Sequence, residues 1–307
     1  MRSTRALLIW LIISVSAAEA FAQSSIRKIE KSGLQKLEQK DYAGAQADFE
    51  KVVQAQPTNA EAIIHRGECK VEQQDYTGAE ADYTRALALQ PQSVAALAYR
   101  GSARRLLEHY EAALTDFDAA LALAPTHPVI FCNRGSTKFA LGDTLGALRD
   151  FDRALELDPA NMEARFNRGV VRLNAEQYAG VVEDMTYYLK VYPATADAYV
   201  GRSSAEFGLK QYAKALADIN TALQLLPNQA ENHLWKGFIE ETLGHQQAAD
   251  LAYQQALTLY GDTGRFYQVR GDWHDENHNR AGACRDWSQA AAAGSREAQA
   301  TLAAKCH

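Results

Sequence analysis

The chain has 307 residues, with 32 Lys and Arg against 38 Asp and Glu, which gives a formal net charge of −6 at pH 7. This negative balance argues against nucleic acid as a partner, because proteins that bind nucleic acid carry clusters of positive charge. Hydrophobic residues make up 47% of the chain, a share typical of globular proteins and too high for an intrinsically disordered chain.

Residues 1–22 predict a secretory signal peptide. Arg2 and Arg5 form a positive start, residues 7–15 are apolar, and Ala20-Phe21-Ala22 provides a small-residue cleavage site. The apolar run is shorter than the roughly 20 residues that span a bilayer, although an uncleaved anchor and cleavage after Ala20 are alternatives. Removal of this segment takes away two positive charges and one negative charge, which leaves 30 against 37 and a net charge of −7. We therefore expect an exported protein, periplasmic or secreted, with no membrane span after cleavage.

Two sets of residues recur along the rest of the chain at a constant step of 34 residues. The prolines are Pro57, Pro91, Pro125, Pro159, Pro193 and Pro227, and the small residues are Gly33, Gly67, Gly101, Gly135, Gly169, Ser203, Gly237 and Gly271. A fixed period of 20–50 residues indicates stacked structural repeats. Each repeat contains two stretches with helical spacing of apolar residues, and the proline ends the second stretch because it lacks a backbone donor.

Further places in the repeat predict close packing of these helices. Alanine recurs at the twentieth place, as in Ala113, and at the twenty-seventh, as in Ala120, while a bulky residue such as Phe117 recurs at the twenty-fourth. Small residues let two helices approach to roughly 8–10 Å, and the bulky residue fills the gap. This pattern resembles the tetratricopeptide repeat family.

The resemblance implies an all-α fold, a right-handed α-solenoid of eight 34-residue helix-turn-helix repeats with a C-terminal capping helix. The repeats extend over residues 26–295, and residues 296–307 form the cap. The repeats start at residues 26, 60, 94, 128, 162, 196, 230 and 264. Places within a repeat are counted from these starts.

A charge pattern has the same period, with a basic residue at the seventh place and aspartate at the twenty-third. Pairing within a repeat would leave Asp48 opposite Ser32 and Lys236 opposite Ala252. We therefore predict that each aspartate pairs with the base of the next repeat and fixes the stacking register, although a ligand-binding ladder of arginines is an alternative. The predicted pairs are Asp48–Arg66, Asp82–Arg100, Asp116–Arg134, Asp150–Arg168, Asp184–Arg202 and Asp218–Lys236.

Four cysteines divide into a predicted pair and two single residues. Cys284 and Cys306 lie about equally far before and after the turn at Gly294-Ser295. Antiparallel helices would bring them level, so we predict a disulfide that ties down the capping helix, as an exporting compartment permits. Cys69 and Cys132 lie two repeats apart, too far to pair, and we expect both to be buried as small hydrophobic residues.

The sequence contains no phosphate-binding loop, nucleophile elbow, paired metal-binding cysteine motif or dinucleotide fingerprint. The polar stretch His274–Arg280 carries possible metal ligands. It coincides with the predicted turn of repeat 8, where solvated polar residues are expected, and we favour that interpretation. We therefore predict no catalytic residues, no metal site, no cofactor and no enzyme activity.

The resemblance implies a groove lined by first helices, in which family members commonly bind extended peptides or partner helices. Asn133 and Asn167 hold the same sixth place, and an amide both donates to and accepts from a peptide unit. Neighbouring candidates include the small residues Ser102, Ser136 and Ser204. The peptide-binding candidates are Tyr99, Arg105, Asn133, Phe139, Phe166, Asn167, Asn174 and Phe207.

Acidic residues occupy both ends of the predicted groove. They are Glu61, Glu68 and Glu72 near one end, and Glu231, Glu241, Asp272, Asp275 and Glu276 near the other. This charge favours a basic or dipolar partner, although solubility alone is an alternative explanation. We predict a non-catalytic scaffold in the cell envelope that binds a protein or peptide in its groove. The alternative is a structural subunit of an envelope assembly or export complex that uses its outer face; the sequence leaves the oligomeric state open.

Overall fold

The computed structural model describes residues 23–306, so the predicted signal peptide lies outside the described residues. Within that range the regular elements are all helices, seventeen in number. None of these helices is long and apolar enough to cross a membrane. The chain divides into two compact units, unit 1 up to Ala164 and unit 2 from Arg165 onwards.

The helices alternate between a first and a second helix of each repeat. The first helices are α1 (residues 23–38), α3 (Ala60–Glu72), α5 (Val94–Leu106), α7 (Pro128–Ala140), α9 (Met162–Asn174), α11 (Ala196–Gly208), α13 (Ala230–Thr242) and α15 (Thr263–Glu276). The second helices are α2 (Tyr42–Ala55), α4 (Tyr76–Leu89), α6 (Tyr110–Leu123), α8 (Thr144–Leu157), α10 (Tyr178–Val191), α12 (Tyr212–Leu225), α14 (Gln246–Tyr260) and α16 (Arg280–Ala292). A last helix, α17 (Arg296–Lys305), packs against α16. The right-handed coil of the stack stays a prediction.

A small residue faces a large one inside each helix pair. In repeat 3, a Cβ added to Gly101 would lie 2.8 Å from a ring carbon of Phe117, closer than real Cβ contacts come. Ala113 and Ala120 flank that ring and are fully buried. The glycine at the eighth place is therefore required because the aromatic residue of the same repeat occupies the space of its side chain.

The turn between the two helices has a feature that the repeat pattern does not predict. The fifteenth place of each of the eight repeats has a positive φ, for example 64° at Gln74, 62° at Glu108 and 83° at Gly142. The amide of Asp75, one residue beyond Gln74, donates to the carbonyl of Lys70 at 2.8 Å, which satisfies a carbonyl at the end of α3. This left-handed residue reverses the chain and makes the two helices antiparallel.

The arginines and aspartates pair within repeats, so the predicted inter-repeat pairing is wrong. Arg100 donates from Nε to Asp116 Oδ2 at 2.9 Å and from Nη2 to Asp116 Oδ1 at 2.7 Å. The other pairs of this kind are Arg66–Asp82, Arg134–Asp150, Arg168–Asp184, Arg202–Asp218 and Arg270–Asp286. The physical reason lies in the hairpin, because the seventh and twenty-third places lie eight residues before and after the turn residue, such as Glu108. Antiparallel helices therefore bring them level.

Repeats 1 and 7 lack one member of this pair, and the two repeats differ in how the remaining residue is bound. Asp48 accepts from Ser32 Oγ at 2.7 Å and from Lys36 Nζ at 2.6 Å within its own repeat. Asp218 is bound by Arg202 and not by Lys236, and residues 23–306 show no ion pair for Lys236. A lysine at the eleventh place thus replaces the missing base of repeat 1.

Neighbouring repeats are still linked through the same arginines, but to another place. Arg134 Nη1 donates to Asp118 Oδ1 at 2.7 Å, and Arg100 Nη1 donates to Thr84 Oγ1 at 3.3 Å. Both acceptors hold the twenty-fifth place of the preceding repeat. Arg100 and Arg134 therefore bind the aspartate of their own repeat with two donors and reach the previous repeat with a third.

At the C-terminal end, the sulfurs of Cys284 and Cys306 are bonded, with Cα atoms 5.8 Å apart, a separation within the usual range for a disulfide. The bond connects α16 to the end of α17. Asp275 adds to this attachment, since its carboxylate binds Lys305 Nζ and Arg280 Nη1, each at 2.6 Å.

Candidate functional site

The sixth and ninth places of the first helices meet between neighbouring repeats of unit 1. The hydroxyl of Tyr99, at a sixth place, lies beside the carboxylate of Glu68, at the ninth place of the preceding repeat. Asn133 Nδ2 donates to Ser102 Oγ at 3.3 Å in the same way one repeat further on. We call the surface formed by these places the first-helix face.

This face contains a hollow of about 330 Å³ in the first three repeats. Leu37 and Val71 form its aliphatic wall, and its aromatic and polar lining consists of Tyr42, Tyr83, Tyr99, Glu68, Glu72 and Ser102. Tyr83 is buried beneath it, whereas Tyr99 keeps 40% of its surface exposed. We call this the acidic hollow, because its charged lining residues are both glutamates.

Hydrogen bonds to these carboxylates change the pKa values around the hollow. Burial and the Glu68 carboxylate raise the pKa of Tyr99 to about 12. Burial and a hydrogen bond to Glu72 likewise raise the pKa of Tyr42. Glu68 also contacts His65 Nδ1 at 2.8 Å, and that hydrogen bond raises the pKa of His65. Near neutral pH the phenols of Tyr42 and Tyr99 therefore stay protonated and can donate to these glutamates.

In unit 2 the first-helix face has an aromatic character instead. Phe207 packs against Trp235 with ring centroids 4.9 Å apart, and Phe238 stacks on Trp273 at 4.0 Å and 5°. Trp235 Nε1 donates to Ser203 Oγ at 3.0 Å, which fixes the orientation of the indole. Only Phe207 of this cluster was among the sequence candidates, although Trp235 and Phe238 hold the sixth and ninth places.

The other sequence candidates in unit 2 are Phe166, Asn167 and Asn174. The Phe166 ring packs against Tyr188 of α10 at 5.1 Å, and both rings join the core of this unit. Asn167 is half-buried, and Asn174 is exposed at the last residue of α9. Phe166 therefore contributes to the core of unit 2, and Asn174 lies at the end of α9.

In unit 1, Arg105 and Phe139 hold the twelfth place, one turn beyond Ser102 and Ser136. Both are half-buried, and Nε of Arg105 is buried without a hydrogen-bond partner. Neither side chain lines the acidic hollow. Of the candidates in this unit, Tyr99 and Asn133 are thus the two with a defined contact across neighbouring first helices.

His274 departs from the sequence expectation of a solvated turn. It lies within α15, and only 6% of its surface is exposed. Its Nδ1 is 2.8 Å from Asp286 Oδ2, and its Nε2 is 3.2 Å from Glu241 Oε1. Burial lowers its pKa, but the hydrogen bonds to the two carboxylates outweigh burial and raise the pKa of His274 to about 9. A protonated His274 therefore joins repeat 7 to repeat 8.

Glu241, a predicted groove acid, is engaged in this network as well, because Tyr253 Oη donates to its Oε2 at 2.5 Å. In the part of the chain that the structure describes, no group of three His, Cys, Asp or Glu side chains has an arrangement that would hold a metal ion. The polar stretch at the end of α15 thus contributes to packing between repeats.

Comparison with known families gives independent evidence for this fold. Two models of the tetratricopeptide repeat match the chain, one over residues 36–99 and the other over residues 132–180. Both matches fall on helix pairs with the 34-residue period. These two segments are tetratricopeptide repeats. A comparison with curated proteins found no match.

Solved structures of tetratricopeptide-repeat proteins have the same fold. A tetratricopeptide repeat protein from Parabacteroides merdae ATCC 43184 is 19% identical, with a TM-score of 0.57 over 92% of this chain and 100% of that chain. MamA 41-end from Desulfovibrio magneticus RS-1 is 25% identical, with a TM-score of 0.52 over 55% of this chain and 96% of that chain. YrrB, described as a TPR protein with an unusual peptide-binding site, is 23% identical, with a TM-score of 0.51 over 60% of this chain and 95% of that chain.

The repeat family accounts for the framework of this protein and not for the lining of the hollow. The eighth and twenty-fourth places repeat as a small residue and a large one because the helix pair needs them. The sixth place changes from His65 to Tyr99 to Asn133 in successive repeats. The residues that distinguish one repeat from the next on this surface therefore lie at the sixth, ninth and twelfth places.

Proposed function

We propose that this protein is a non-catalytic scaffold that binds an extended peptide or protein segment on its first-helix face. The observation that supports this most directly is the acidic hollow, where Tyr99 and Glu68 from neighbouring repeats border an open space. Asn133 and Ser102 continue the same face with groups that donate and accept hydrogen bonds. Extended peptides need such a row of side chains at regular spacing.

The chemistry of the described residues argues against catalysis. A cysteine nucleophile needs a lowered pKa and an accessible sulfur. The two free cysteines, Cys69 and Cys132, are buried, and burial raises the pKa of Cys69 to about 12. Its thiol is therefore protonated and shielded near neutral pH. Proteins of this repeat family generally act as interaction scaffolds and not as enzymes.

We infer further that the protein works in the cell envelope, as the leader pattern of residues 1–22 suggests. A disulfide such as Cys284–Cys306 persists in oxidising compartments, which supports the same location. Cell fractionation combined with N-terminal sequencing tests the inference. A chain that starts at Gln23 in the exported fraction would support it, and a full-length chain confined to the cytoplasm would contradict it.

A site-specific photo-crosslinker tests the face that binds. One variant carries the crosslinker at Ser102 on the first-helix face, and a matched variant carries it at Leu145, which is 67% exposed on a second helix. Irradiation of intact cells should give a protein adduct at Ser102 and not at Leu145. Adducts at Leu145 alone would overturn the groove proposal and favour the alternative, a structural subunit that uses its outer face.

A further inference from the structure

We propose that the acidic hollow of unit 1 receives a lysine or arginine side chain of the bound segment. This inference rests on the proposed function, because it assigns a chemical class to the occupant of the same face. It goes further in that it names one pocket, one charge and the residues that recognise it. Three properties of the hollow support it, namely its charge, its lining and its size.

Charge is the first reason. The buried aspartates of unit 1 are each bound by two basic side chains of their own repeat; Asp116, for example, accepts from both Arg100 and Arg104. Glu72 in the hollow is different, since residues 23–306 offer its carboxylate no ion pair and only the hydroxyl of Tyr42 lies beside it. The hollow therefore has a negative charge that the fold itself does not neutralise.

The lining is the second reason. Lysine and arginine bury their methylene stems on apolar surface while the charged group stays at a polar end. Leu37 and Val71 supply the apolar surface, and the exposed ring of Tyr99 supplies a face for a cation–π contact. Glu68 and Glu72 then lie where the charged group would end. An acidic or purely apolar side chain would give these carboxylates no opposite charge from the bound segment.

Size is the third reason. A hollow of about 330 Å³ lies at the lower end of the range for ligand pockets. It suits one long side chain better than a bulky ligand. The hollow is also continuous with the row of polar residues at Ser102 and Asn133, so a segment anchored here would run on along α5 and α7.

The test uses the full chain and a random library of displayed dodecapeptides whose two ends carry no charge. The wild-type protein should enrich peptides with Lys or Arg at one fixed position. The double variant Glu68→Gln/Glu72→Gln should bind a selected peptide at least about tenfold more weakly, because it loses the charge-assisted hydrogen bonds to the basic group. The control Glu111→Gln removes an exposed glutamate from the first turn of α6 and should leave affinity unchanged.

A second measurement separates charge from fold. Replacing the basic residue of the selected peptide by norleucine should cost the wild type about as much affinity as the double variant loses, and should cost the double variant little. Circular dichroism melting of both variants checks that they fold. Peptides bound without enrichment of Lys or Arg would overturn this inference and leave the scaffold proposal standing. Failure of the library to yield any bound peptide would overturn both.

Discussion

Arg100 and Asp116 lie eight residues on either side of the left-handed turn residue Glu108, and two hydrogen bonds join their side chains, at 2.9 and 2.7 Å. This symmetry about the turn explains why the charge pattern closes each repeat on itself. The aspartate has only 2% of its surface exposed. A buried carboxylate of this kind destabilises a fold severely when its counter-ion is lost, and the converse holds for the arginine.

We therefore expect Asp116→Asn to lower the free energy of unfolding by roughly 3 kcal/mol or more, because it leaves Arg100 without its carboxylate and takes one of two carboxylates from Arg104. The measurement is equilibrium unfolding in urea.

Asp118→Asn is the matched control, two residues along the same helix. Asp118 binds Arg134 of the next repeat, but its side chain is 63% exposed. Exposed ion pairs contribute about 0–1 kcal/mol, so this variant should unfold close to the wild type. Equal losses in the two variants would contradict the assignment of the stabilising pair to the single repeat.

Two glycines in first helices should respond to alanine with opposite signs. Gly101→Ala places a Cβ 2.8 Å from the Phe117 ring, and we expect a net loss of roughly 1–2 kcal/mol from overpacking. A Cβ at Gly201 meets only Met185 Cε at 3.8 Å, so Gly201→Ala should gain up to about 1 kcal/mol from helix propensity. Thermal melting of the two variants checks this, and a stabilised Gly101→Ala would disprove the packing argument.

The stability of unit 2 should fall in mildly alkaline solution. The pKa of His274 is raised to about 9 in the folded state, compared with about 6.5 in an unfolded chain. Its contribution is therefore fully present below about pH 6.5 and is lost as the pH rises through 9, by an amount on the order of 2–3 kcal/mol. Urea unfolding at pH 6, 8 and 10 should show this loss in the wild type and not in His274→Gln.

The imidazole signal gives a direct check on the same group. In an NMR titration of the folded protein, the Cε1 proton of His274 should change near pH 9, while Glu241→Gln should move the transition towards lower pH because one of its two carboxylate partners is gone. A transition near pH 6.5 in the wild type would rule out the buried ionic contact.

The disulfide should secure α17 against α16. It closes a loop of 22 residues, so its removal is expected to cost roughly 3 kcal/mol in the chain-entropy model. Dithiothreitol should lower the melting temperature of the wild type and leave that of Cys284→Ser/Cys306→Ser unchanged. Thiol titration of the denatured, unreduced chain should detect two thiols, those of Cys69 and Cys132, and four after reduction.

Much of the fold follows from the sequence, because local preferences repeat eight times. Ala60 and Val94, the predicted starts of repeats 2 and 3, are the first residues of α3 and α5. The pairing of Gly101 with Phe117 also follows from residue size alone. Such signals are local or have one short period, so a single repeat contains all the information needed to interpret them.

The site was less predictable, because its residues come from different repeats. Tyr99 and Asn133 were identified from their places in the repeat, but the contact of Glu68 with Tyr99 depends on how neighbouring first helices pack. His274 was assigned to a solvated turn because its carboxylate partner Glu241 lies 33 residues earlier. The ion pairs were assigned to the wrong repeat because Ser32 and Ala252 interrupt the pattern within repeats 1 and 7, whereas Lys36 supplies the missing base of repeat 1.

The two-donor contact between Arg100 and Asp116 has a consequence for how the chain can evolve. Since repeats 2 to 6 each contain both partners, duplication or loss of one such 34-residue segment leaves no buried aspartate without its arginine. Repeat 1 follows the same logic with Ser32 and Lys36 in place of the arginine. The gain or loss of one such unit is therefore compatible with the buried ion pairs, and the first-helix residues can differ between units without affecting those pairs.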